Sequence, residues 1–87
     1  MQEAIILNVL ELDGITPKNH SMWSMKVRYN PKYIIKGYSA FLQHVNDCKY
    51  CIKTSGIHNI EEDKNNLILY TRNSIYKIKK FINLKEE

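Results

Sequence analysis

GYSAFLQHVNDC, Gly37 to Cys48, is the stretch on which the fold class turns. Ser39 is suited to cap a helix, because its hydroxyl can accept from a free N–H of the first turn. Phe41, Leu42, Val45 and Cys48 then recur at helical spacing and share one face. The spacing predicts a helix over about residues 39–48, short enough to persist only when docked on something apolar.

The rest of the chain supplies that surface. MWSMKVRYN, Met22 to Asn30, alternates strictly: Trp23, Met25, Val27 and Tyr29 fall on one face, Ser24, Lys26, Arg28 and Asn30 on the other. Period two means a half-buried strand, and Asn30-Pro31 ends it in a turn. Ala4 to Leu12, AIILNVLEL, suits a strand with Ile5, Leu7 and Val9 on one face, although Ile5, Ile6, Val9 and Leu10 would also suit a helix. Its β-branched content and the closing Asp13-Gly14 favour the strand. KYIIK (Lys32–Lys36), KYCIK (Lys49–Lys53) and GIHNIEE (Gly56–Glu62) read as shorter strands. Asp63 to Asn66, DKNN, has turn chemistry.

LILYTRNSIYKIKKF, Leu67 to Phe81, reads as a hairpin. With Asn73-Ser74 in the loop, Leu69 opposes Ile78; with Arg72-Asn73, Leu69 opposes Tyr76 and Leu67 opposes Ile78. Either register puts Leu67, Leu69, Tyr76 and Ile78 on one face. Either puts Ile68, Tyr70, Arg72, Lys77 and Lys79 on the other. The expected fold class is therefore α+β: an antiparallel, curled sheet with one short helix packed on it, in a single domain spanning residues 1–87.

Composition narrows the function classes. No apolar run reaches the ~18 residues of a membrane span. The N-terminal stretch, with Glu3, Glu11 and Asp13, is a poor export signal. Two cysteines without such a signal imply a reducing, cytoplasmic setting. A chain of 87 residues buries a modest fraction of its surface, and forming a homodimer would bury more. The net charge is +4. Lys18, Lys26, Arg28, Lys32, Lys36, Lys49 and Lys53 crowd residues 17–53, and Arg72, Lys77, Lys79, Lys80 and Lys85 follow. Such blocks attract phosphate or an acidic protein surface.

Two constellations could carry chemistry. His44, Cys48, Cys51 and His58 combine one-turn, C-x-x-C and longer spacings, and zinc takes two thiolates and two imidazoles tetrahedrally. They are candidate metal ligands, and zinc is the cofactor they would imply. Cys48 equally fits the apolar helix face as a small hydrophobe. Lys26 and Arg28 on one strand, with Tyr70, Arg72, Lys77 and Lys79 on the hairpin, form a candidate face for a protein partner or for DNA or RNA. Catalysis has no motif: the serines, histidines and acids are not linked by any nucleophile, base or glycine-loop pattern, so the chain is not expected to be an enzyme.

Thr54 to Ile78, TSGIHNIEEDKNNLILYTRNSIYKI, resembles a three-strand unit recurring in small uncharacterised phage proteins. The shared features are Thr-Ser, an apolar pair, a polar turn, then Thr-x-Asn-Ser-x-Tyr-x-Ile, over under a third of the chain. In size and composition the chain is also similar to the small inhibitors that phages direct against bacterial defence, anti-CRISPR proteins among them. That resemblance implies a non-enzymatic inhibitor that occludes a protein of a nucleic-acid-handling complex. Net positive charge departs from the DNA-mimicking kind. The alternatives are a small nucleic-acid-binding regulator and a zinc-stabilised interaction module.

Overall fold

A computed structural model describes residues 1–47 and 49–81. The hairpin is the simplest part to explain. β7 (Asn66–Thr71) and β8 (Ile75–Lys80) pair with Leu69 opposite Tyr76 and Leu67 opposite Ile78, so Arg72 and Asn73 are the loop residues. All four apolar partners are buried. The loop is held by its flanks: the Thr71 hydroxyl donates to the Ser74 carbonyl (2.7 Å) and accepts from the Ser74 N–H (3.1 Å).

The other strands extend this pair in both directions. β1 (Gln2–Leu10) lies beside β8, then β3 (Lys26–Tyr29), β4 (Phe41–His44) and β5 (Cys51–Lys53). β6 (Ile57–Glu62) lies beyond β7, giving the order β5-β4-β3-β1-β8-β7-β6, with the short β2 (Pro17–Lys18) paired on β1. Every pairing is antiparallel.

The two ends of that order are consecutive pieces of one chain segment, because β5 runs into β6. The bend between them curls the sheet round. Thr54 N–H donates to the Ala40 carbonyl (2.9 Å), Ile57 N–H to Tyr38 (3.0 Å), and Gly37 N–H to Ile57 (2.8 Å). Gly37 takes φ 94°, a conformation that side-chain-bearing residues adopt at a cost. Arg72 N–H donates to Gly56 (2.9 Å) on the other side of the bend. Inside the curl, Ala4, Ile6, Val27, Leu42, Leu69 and Ile78 are at most 1% exposed and build one core, with Met22, Trp23 and Met25 packed at its margin.

The predicted helix over 39–48 does not form over its described residues, 39–47. Phe41–His44 is strand β4, and the described residues contain no α-helix, only two 3-10 turns at His20–Met22 and Pro31–Tyr33. The fold is thus antiparallel β rather than α+β. The physical reason is that β4 has a strand on each side, β3 and β5, so its backbone groups find partners in both directions. A lone helix of that length would rely on its own few hydrogen bonds. Ala40 and Leu42 point inward at 0% exposure while Phe41, 56% exposed, points out, which is strand parity.

Three smaller expectations also change. The strand expected over Met22–Asn30 is confined to Lys26–Tyr29, because His20–Met22 closes a 3-10 turn and Ser24 takes φ 63°. Lys32–Lys36 forms no strand; the Asn30 side chain caps a 3-10 turn there by accepting from the Lys32 N–H (3.0 Å). β1 is a strand, but Ala4, Ile6 and Val9 face inward and Leu7 is exposed. The register slips between Ile6 and Asn8, so one extra residue rephases the strand. The Asp63 turn forms as expected: its carboxylate accepts from the Asn65 and Asn66 N–H groups (both 2.8 Å), which holds its pKa below the usual carboxylate value.

Candidate binding surface: a basic sheet face and an aromatic trough

Register decides which charged side chains meet. Cross-strand partners share a face. Lys26 opposes Ile5, and Ile5 opposes Lys79, so these three make one row across β3, β1 and β8. Arg28 opposes Glu3 one step along, and Lys77 opposes Asn8. Four of the predicted residues, Lys26, Arg28, Lys77 and Lys79, therefore stand on the outer face of adjacent strands. Arg28 is paired with Glu3 (3.2 Å), whereas no ion pair among the described residues engages Lys26, Lys77 or Lys79. Leu7, 45% exposed, and the half-buried Ile5 and Ile68 set apolar surface between the cations.

The other two predicted residues stand apart. Tyr70 shares the outer face on β7, next to the strand that carries Glu61; burial and then that carboxylate raise its pKa. Arg72 lies in the turn, at the opposite end of β8 from Lys79. The turn itself is engaged in closing the sheet. Asn73 N–H donates to the Ser55 hydroxyl (3.0 Å), and the Asn73 carbonyl accepts from Lys18 (3.0 Å).

The zinc candidates are only partly placed. Cys48 lies outside the described residues. His44 Nδ1 accepts from the Asn46 N–H (3.0 Å), and its ring stacks on Tyr50. Cys51 is a free, exposed thiol on β5, and His58 is exposed on β6. Among the described residues no three His, Cys, Asp or Glu side chains are placed to hold a metal ion.

A second feature has no counterpart in the sequence reading. A trough of about 800 Å³ lies where the loop after β3 faces the outer side of β3, β4 and β5. Tyr33, Ile35 and Tyr38 come from the loop and Phe41 from β4; all four are exposed. Arg28, Gln43 and Cys51 also line it, and they lie on three adjacent strands, since Gln43 opposes both Arg28 and Cys51. Lys53 stands over the Phe41 ring, 5.8 Å from its centre. By sequence Tyr33 and Ile35 belong to a strand, Tyr38 to the start of the helical stretch and Phe41 to the helix's apolar face, so nothing local groups them.

Tyr29 lines the trough from within the core, 2% exposed, and its hydroxyl has no hydrogen-bond partner among the described residues. Burial, with a contribution from Glu62, pushes its pKa up to about 12. A phenol whose folded pKa exceeds its unfolded value near 10 supports stability below that value and loses the contribution as pH rises toward 12. Tyr29→Phe should then leave stability at neutral pH unchanged or raised by up to about 1 kcal/mol, since it removes an unsatisfied buried group. It should also flatten the alkaline decline. Urea unfolding at neutral and alkaline pH measures both; a loss at neutral pH would mean that the hydroxyl is satisfied.

No helix among the described residues is long and apolar enough to cross a membrane. No family model, no curated protein and no solved structure matches the chain.

Proposed function

We propose that the chain is a small non-enzymatic binding protein of the cytoplasm that occludes an acidic surface on a protein of a nucleic-acid-handling complex, as inhibitors carried by mobile elements do. The observation that carries this reading is the row Lys26–Ile5–Lys79 with Lys77 beside it, cations without ion pairs among the described residues, set beside the exposed Leu7 and the half-buried Ile5 and Ile68. A face mixing uncompensated charge with apolar area fits a protein partner. A polyphosphate chain would favour more uniform positive charge. Here Glu3 sits against Arg28, and the Glu61 carboxylate bears on Tyr70, the face's aromatic ring. The exposed free thiol of Cys51 suits a reducing compartment.

The test is affinity capture from nuclease-treated bacterial lysate at moderate salt, comparing the native chain with Lys26→Glu/Lys79→Glu. A nuclease, helicase or related subunit should be retained by the first and lost by the second. Direct binding of DNA or RNA, weakening steeply as salt rises, would replace this reading with the nucleic-acid-binding one.

A further inference from the structure

We infer that the trough beside β5 receives an extended acidic peptide segment of a partner protein, which pairs with the free edge of β5 and places large apolar side chains among Tyr33, Ile35, Tyr38 and Phe41. This rests on the reading of the chain as a protein-binding protein and names the chemistry of what it binds.

Three observations converge. The first is the backbone edge. His44 N–H donates to the Tyr50 carbonyl (2.9 Å) and Thr54 N–H to the Ala40 carbonyl (2.9 Å), with Leu42 opposite Ile52 midway. Bonded pairs alternate along an antiparallel ladder. Cys51 and Lys53 fall in the intervening pairs, so their N–H and C=O groups point away from β4. β5 ends the sheet order, and both residues are exposed. That edge offers donors and acceptors at strand spacing, which is what strand addition requires.

The second observation is the apolar area beside that edge. Cys51 is shared by edge and trough, and Phe41 stands opposite Lys53. Tyr33 and Tyr38 are 68% and 67% exposed. Large apolar side chains grouped in a concavity of this size mark a binding groove rather than scattered surface residues.

The third is charge. No acidic residue lines the trough among the described residues, while Arg28 does; the loop forming one wall carries the exposed Lys32 and Lys36, and Lys53 caps Phe41. Glu3, at the margin, is already paired with Arg28. A segment with acids between its apolar residues complements this rim. A single nucleic-acid strand would also find rings and cations here, but it has no use for the β5 amides, whose spacing matches a peptide.

The test immobilises the whole chain and selects from a pooled peptide library in which Asp or Glu alternates with Leu, Ile, Phe or Tyr. The best binder is then measured by fluorescence anisotropy. Its counterpart with Lys for each acid should bind at least about tenfold more weakly. Phe41→Ser and Tyr38→Ser should each weaken binding about tenfold, with unchanged thermal melts because both side chains are exposed. Lys26→Glu/Lys79→Glu, away from the trough, should change it less than about threefold. Of two versions with alternate amides N-methylated, one should lose binding and the other keep it, since a β-strand pairs along one edge. The inference is overturned if the pool yields no binder, if the lysine counterpart binds equally, if both methylated versions bind, or if oligothymidylate displaces the peptide at lower concentration. It is also overturned if Lys26→Glu/Lys79→Glu abolishes binding while the trough variants do not, an outcome that leaves the basic face standing as the protein-binding surface.

Discussion

Leu42→Ala is expected to cost about 2–5 kcal/mol of folding stability, as truncation of a fully buried leucine does when the cavity cannot collapse. Leu42 is 0% exposed at the centre of β4, between β3 and β5. For a chain of this size that is a large share of the total, so the variant should be mostly unfolded at elevated temperature. The neighbouring Phe41→Ala is expected to cost less than about 1 kcal/mol, because exposed positions rarely exceed that. Urea unfolding of the two variants separates the strand from a helix, in which Phe41 and Leu42 would share the docked face. Equal and large losses would return the segment to a helix.

Thr54→Val should cost about 1–3 kcal/mol despite its matched shape. The Thr54 hydroxyl accepts from the Ala40 N–H (2.9 Å) and donates to the Ser55 carbonyl (2.8 Å), and the residue is 3% exposed. Valine leaves both groups without that partner at the bend where β5 becomes β6. The loss should also be structural. Hydrogen exchange at Ala40, Ile57 and Arg72, whose N–H groups sit at or beside this closure, should speed up more than exchange at the centre of β1. Uniform acceleration would mean that the bend is not a local weak point.

Much of the sheet was legible because alternation is a local property. Leu67, Leu69, Tyr76 and Ile78 announce one face of the hairpin within fifteen residues, and either loop register preserves it. The same parity grouped Lys77 with Lys79 and Lys26 with Arg28. That Lys26 and Lys79 would flank the same Ile5 was not legible, since it depends on β1 being inserted between β3 and β8, a pairing of distant segments. The α+β expectation failed at Gly37 to Cys48 for a related reason. Phe41, Leu42 and Val45 satisfy the helical period, while Ala40 and Leu42 satisfy the strand period. A stretch so short carries both patterns, and hydrogen-bonding neighbours choose between them.

Local chemistry was thus sufficient for Lys26–Tyr29 within the alternating stretch 22–30, for the Asp63 turn and for the two-sided hairpin, because each is set by residues a few positions apart. The strand identity of β4, the bulge that turns Leu7 outward, the closure of β5 onto β6 and the trough were settled by tertiary pairing. Backbone groups in those places are satisfied by partners far along the chain, and a binding surface assembled from a loop and three strands has no period of its own to read.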